Sequence, residues 1–124
     1  MFLVDTNVVI RAIAGQEPDA KFLRRAIEKN EVCLSVITLA EFFTRASQKE
    51  EGVFEKLVQA FPVFSIDEET ARIAAFYRKR FLKKTRAKLL DFLLAAQAKV
   101  HKATFVTNNR SDFPMKDILV IAPS

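Results

Sequence analysis

Glycine and proline are scarce in this chain, with two glycines and four prolines in 124 residues. Loop-rich all-β architectures need both at their turns, so the shortage disfavours them and points to helices joined by short connections. Tryptophan is absent and His101 is the sole histidine. It stands in the charged Lys99-Val100-His101-Lys102 stretch, which reads as an exposed helix end rather than a general base. The single cysteine, Cys33, cannot form an intramolecular disulfide and fits a reducing compartment. Within Val32-Cys33-Leu34-Ser35 it reads as a small buried hydrophobe. No apolar run approaches the ~18 residues of a transmembrane helix, and the N-terminus lacks the basic-then-apolar pattern of a secretory signal. The expectation is a soluble, cytoplasmic protein with no membrane contact.

Apolar residues are plentiful, at 50% including 12 phenylalanines. A single domain over residues 1–124 can then bury roughly two-thirds of its unfolded surface. The net charge is +5. A basic surface suits a polyanionic partner, because surface cations attract phosphates.

Phe2-Leu3-Val4, Val32 to Ser35, Val63-Phe64-Ser65, Thr104 to Thr107 and Ile118 to Ile121 read as five short strands. Helical spacing predicts helices over 7–14, from 18 onward, over 37–49, over 52–60, from 68 (capped by Asp67) and over 90–100. The long helix from 68 is expected to turn Ile73, Phe76, Tyr77 and Phe81 inward, and the helix over 90–100 to be buried. Continuous apolar strands alternating with helices indicate an α/β fold, a parallel sheet covered on both faces. Ligands bind such sheets outside the carboxyl ends of the strands.

Four acids stand in unexpectedly apolar contexts. Asp5 closes the first strand, Glu41 lies within Val36 to Phe43, Asp91 within Leu89 to Ala96, and Asp112 just before Phe113-Pro114. Removing an ionised carboxylate from water costs several kcal/mol unless it is paired. A shared divalent metal would satisfy all four at once. Asp5 and the Asn109 to Asp112 loop follow strands one and four. Glu41 and Asp91 are expected in the first turns of helices starting at that same edge.

Asp5-Thr6-Asn7, Thr38-Leu39-Ala40-Glu41, Asp91 to Ala96 and Thr107-Asn108-Asn109-Arg110-Ser111-Asp112-Phe113, in this order and spacing, resemble the PIN-domain ribonucleases, in particular the VapC-type toxins of toxin–antitoxin modules. The likeness spans nearly the whole chain, including Asp67 to Ala74. It implies an α/β/α sandwich and a metal-dependent endoribonuclease. Carried over, Asp5, Glu41, Asp91 and Asp112 would be the catalytic, Mg²⁺- or Mn²⁺-binding acids, with Asn109 a further ligand or water-holder. Thr6 and Thr107 would orient carboxylates or phosphate, and Asn7 would hold Asp5. A cognate antitoxin, an RNA substrate and a homodimer are the implied partners. Two places depart from the family pattern: Arg45-Ala46 replaces a small-residue pair, and Lys83 to Lys88 lacks a usual glycine.

Lys83, Lys84 and Arg86 belong to a basic run, Arg78 to Lys88, read as an RNA-contacting rim rather than only a solvated helix end. Some of Phe42, Phe43, Phe54, Phe61, Phe64 and Phe76 could line an antitoxin groove or dimer seam, the rest being core. A haloacid-dehalogenase-like phosphatase would need a second aspartate where Asn7 stands. A response-regulator receiver would need an acidic pair near strand one and a phosphorylatable aspartate directly after strand three. The remaining alternative is a non-catalytic PIN-like module that binds RNA or protein.

Overall fold

In the computed structural model, which describes residues 1–124, β1 (Phe2–Val4), β2 (Val32–Ser35), β3 (Val63–Phe64), β4 (Thr104–Val106) and β5 (Val120–Ile121) form one parallel sheet in the order β3-β2-β1-β4-β5. The helices are α1 (Thr6–Ile13), α2 (Asp19–Glu28), α3 (Val36–Phe43), α4 (Gln48–Ala60), α5 (Glu68–Phe81) and α6 (Leu89–Val100), with a 3-10 turn at Arg110–Asp112.

Side chains alternate across a strand, and that period sorts the sheet into two cores. Leu3, Cys33 and Phe105 meet Ala74 and Tyr77 of α5 and Phe92 and Leu94 of α6. Val4, Val32, Leu34 and Val106 meet Val8, Val9, Leu23, Phe42 and Phe54 from α1 to α4. The result is the expected α/β/α sandwich. The chain steps outward from β1 to β3 with helices on one face, then returns to β4 with α5 and α6 on the other. The direction of winding therefore reverses between β1 and β4, and a crevice opens there at the carboxyl edge.

The helix expected over 37–49 is two helices. α3 stops at Phe43, and Ser47 starts α4 by accepting from Glu50 N at 3.2 Å while Glu50 Oε1 accepts from Ser47 N at 3.0 Å. Such a reciprocal box satisfies two helix-end donors and favours a new start over continuation. Phe76 faces solvent, 59% exposed, against the expectation that it turns inward. Ile73, Tyr77 and Phe81 form an i, i+4, i+8 stripe on the core, and Phe76 lies about 100° around the helix from Tyr77 at its middle. α6 is buried from Phe92 to Ala98 apart from Leu93, whereas Leu89 and Leu90 in its first turn are exposed. β5 is shorter than expected, and Leu119 before it is exposed.

Cys33 is buried, donates to Phe2 O at 3.3 Å, and has its thiol pushed by burial up to about 12, so it is inert at neutral pH. No helix is long and apolar enough to cross a membrane. Replacing Ser47 by Ala should cost about 1 kcal/mol through loss of the cap. The expected reading is a lower urea midpoint with unchanged slope.

Candidate active site

Asp5 leaves β1 as the N-cap of α1. Its Oδ1 accepts from Thr6 N at 2.8 Å, and its Oδ2 accepts from Thr107 Oγ1 at 2.8 Å, where Thr107 is the residue after β4. One carboxylate therefore bridges the two strands flanking the crevice, at 7% exposure. Asn7 is exposed and is not among its hydrogen-bond partners.

Glu41 arrives from α3, in the second turn rather than the first, and is half-buried. Its Oε1 accepts from Thr6 Oγ1 at 2.7 Å, and Thr6 Oγ1 also lies 3.1 Å from Thr38 Oγ1. A hydroxyl has one proton; with that proton on Glu41, Thr6 accepts from Thr38. Thr38 is fully buried one helical turn before Glu41 and completes this relay. Asp91 stands in the first turn of α6, half-buried, with Oδ2 accepting from Lys88 N at 2.8 Å.

Burial pushes the Asp5 carboxyl up from 3.8 to about 6, the Thr107 hydroxyl opposes this, and the charges of Asp91 and Glu41 add to it. Asp5, Glu41 and Asp91 are thus brought together electrostatically. None of the chain's four ion pairs involves them. The donor set is all oxygen, which matches Mg²⁺ or Mn²⁺, and the uncompensated charge is what a cation would offset. As oriented, no three acidic, histidine or cysteine side chains are close enough to hold an ion. The donor chemistry fits a metal, while all three carboxylates are engaged in hydrogen bonds: Asp5 with Thr6 N and Thr107, Glu41 with Thr6 Oγ1, and Asp91 with the start of α6.

Asp112 lies in the 3-10 turn, half-buried, and is not among the charges that act on Asp5. Its segment is tied to the group through backbone: Asn109 N donates to Thr107 Oγ1 at 3.1 Å, and Asp112 O accepts from Thr85 Oγ1. The Asn109 side chain is exposed. His101 stacks on Phe64 with centroids 3.6 Å apart, at the opposite end of α6 from Asp91. Ten residues of helix put it about 15 Å away along the axis, which removes it as a base for this site.

Two supporting residues were not foreseen. Asp19, at the start of the helix expected from residue 18, is fully buried; its Oδ2 accepts from Asn108 Nδ2 at 2.8 Å. Its Oδ1 lies 3.4 Å from Arg11 Nε, a charge contact without a hydrogen bond. Asn108 adjoins Thr107, so this clasp steadies the loop that grips Asp5. The Pro18-Asp19 pair signalled only a helix start.

A PIN domain family model matches residues 2–118. Ribonuclease VapC10 of Mycobacterium tuberculosis is 30% identical over 116 residues, covering 93% of this chain and 87% of that protein. Ribonuclease VapC19 of the same organism is 27% identical over 117 residues, covering 93% and 94%. The solved structure of FitAcB from Neisseria gonorrhoeae superposes with a TM-score of 0.79 at 28% identity over 99% of this chain and 98% of that one. DNA-bound VapBC from Salmonella typhimurium gives 0.81 at 24% identity over 99% and 98%, a likeness of fold.

The raised Asp5 value has a consequence for the metal-free protein. A carboxyl that is harder to ionise folded than unfolded adds nothing below its unfolded value, and lowers stability as pH rises from about 4 to about 6. A shift from 3.8 to about 6 corresponds to about 3 kcal/mol of destabilisation above that window. Asp5→Asn should therefore raise the melting temperature at pH 7.5 in chelator and lose that advantage below pH ~4. Equal melting temperatures at both pH values would contradict the uncompensated charge.

Proposed function

The chain belongs to the PIN domain family, and we propose that it is a metal-dependent endoribonuclease, the toxin of a toxin–antitoxin pair. The observation that carries this reading is the buried Asp5 at the sheet's switch point, unpaired with any cation and acted on by the charges of the half-buried Glu41 and Asp91. The ribonuclease relatives supply the substrate class.

Asp5, Glu41 and Asp91 would hold Mg²⁺ or Mn²⁺, with Asp112 and Asn109 as the further positions on the loop after β4. When bound, such an ion supplies an acidified water and stabilises charge on the phosphodiester. The chain's own residues set the geometry. Thr107 and Thr6 N fix both oxygens of Asp5, so this acid is the rigid reference point. Thr6, backed by Thr38, orients Glu41. Attack by water at phosphorus with O3′ as the leaving oxygen would break the P–O3′ bond and give a 5′-phosphate and a 3′-hydroxyl, the proton passing to O3′.

Structural relatives that are toxin–antitoxin complexes support a protein antitoxin as partner. A groove of about 450 Å³ between α1, α2 and α4, lined by Ile13, Leu23, Ile27, Val53 and Leu57, suits the apolar face of a helix. Its apolar lining is aliphatic, with Arg24, Glu28 and Lys56 also lining it; the phenylalanines considered for this role are not part of it. Phe76, Leu82, Leu89 and Leu90 leave apolar surface around the end of α5 and the start of α6, which supports a homodimer.

Cleavage of a total-RNA pool should require Mg²⁺ or Mn²⁺, stop in chelator, and be lost in Asp91→Asn. Either metal should also raise the melting temperature of the wild type more than that of Asp91→Asn. Well-folded protein that cuts nothing with any metal would favour a binding module instead. Val53→Glu, at a position 44% exposed, should leave cleavage intact and weaken antitoxin inhibition by tenfold or more, on the order of 1.4 kcal/mol.

A further inference from the structure

A second feature lies outside the acidic crevice. Arg80, Phe81, Lys84, Pro114 and Lys116 line a cleft of about 370 Å³ between the C-terminal end of α5, the loop after it and the segment following the 3-10 turn. Three of its five lining residues are cations and none is an acid. Arg80, Lys84 and Lys116 are exposed, and none takes part in the chain's four ion pairs. The Arg80 guanidinium sits 5.8 Å from the Phe81 ring centroid, which limits its freedom without neutralising it. Three unneutralised cations from two separate segments, around an apolar floor, form a concave site for anionic groups.

The cleft is joined to the acids by one run of chain. Thr85, next to Lys84, donates to Asp112 O and accepts from Ala87 N, and Lys88 N donates to Asp91. The seven steps from Lys84 to Asp91 span at most about 25 Å, a reach of a few nucleotides. A cleft that close to a phosphodiester-cutting site has the same polyanion as its natural ligand. Of the basic residues expected to form a rim, Arg80 and Lys84 line this cleft; Lys83 and Arg86 do not.

We propose that Arg80, Lys84 and Lys116 form a subsite for backbone phosphates of substrate RNA, a few nucleotides from the scissile bond. The subsite rests on the ribonuclease reading above for its ligand. Contacts of this kind confer affinity and register without sequence preference, and each releases counterions.

The test is binding of the full-length protein to a fluorescent single-stranded RNA in chelator, across a salt titration. The cleft variant carries Arg80→Gln, Lys84→Gln and Lys116→Gln. The control carries Lys21→Gln, Arg25→Gln and Lys29→Gln, exposed positions on α2 and at its C-cap, against the opposite face of the sheet, and removes the same net charge. The cleft variant should bind on the order of tenfold more weakly, with a salt slope lower by about 2, from three single-strand contacts. The control should change the slope much less. With metal, the cleft variant should raise KM and leave kcat near that of the wild type, and Lys84→Arg with Lys116→Arg should retain binding.

A slope unchanged in the cleft variant, or lowered no more than in the control, overturns the subsite even if the wild type cuts RNA. A cleft variant that keeps its RNA affinity but loses antitoxin affinity also overturns it, and assigns the cleft to an acidic protein. Wild type that binds RNA through the cleft but cuts nothing overturns the ribonuclease reading and leaves the subsite standing.

Discussion

The hydrogen bond from Thr107 Oγ1 to Asp5 Oδ2 is the contact on which the candidate site depends. It crosses the one place in the sheet where neighbouring strands belong to opposite directions of winding, and it joins residues 102 positions apart in the chain. β1 is already paired to β4 through Asp5 N and Val106 O at 2.9 Å, and the side-chain bond continues that ladder past its last strand residue. A carboxylate fixed at both oxygens loses little further freedom when a ligand arrives, which is the sense in which a site is preorganised.

Two buried aspartates lie at this edge, and they are treated differently. Asp19 has Arg11 beside one oxygen and Asn108 on the other, so its charge is matched and its role is to hold a loop. Asp5 has only neutral donors, with two more acids acting on it. Buried charges are normally paired because the alternative costs stability. An unpaired one at a strand end, in a crevice, is therefore better explained by something that binds there than by folding.

The strands, their parallel arrangement and the edge on which the acids gather were legible in the residues, because apolar runs and the carboxyl-end rule depend on local pattern and topology. Three features were not. The break between α3 and α4 turns on Ser47 and Glu50 capping, which competes with an unbroken helical period over 37–49. Phe76 fails to turn inward because one helix stripe is already filled by Ile73, Tyr77 and Phe81. Asp19 looks like any helix-opening aspartate, and only the approach of Arg11 and Asn108 from elsewhere in the chain makes it a buried clasp. Thr38 is an intermediate case: a polar residue three positions before Glu41 shares its helix face and could have been read as its support. Asp112 was placed correctly on the loop after β4, but proximity in that loop does not by itself bring its carboxylate to Asp5.

The distribution of charge follows the same division. The chain has 20 lysines and arginines against 15 acids, so cations able to neutralise Asp5, Glu41 and Asp91 are not in short supply. An arginine placed among them would lower the Asp5 carboxyl and recover the ~3 kcal/mol that its burial costs. It would also occupy the crevice with a fixed charge and leave no room for a metal or a phosphate. The structure instead leaves the crevice without a cation and gathers three of its unpaired ones, Arg80, Lys84 and Lys116, in a cleft connected to the acids through the 84–91 segment. Negative and positive groups are thus held apart, and the unmatched charge on Asp5 is carried as a cost in stability.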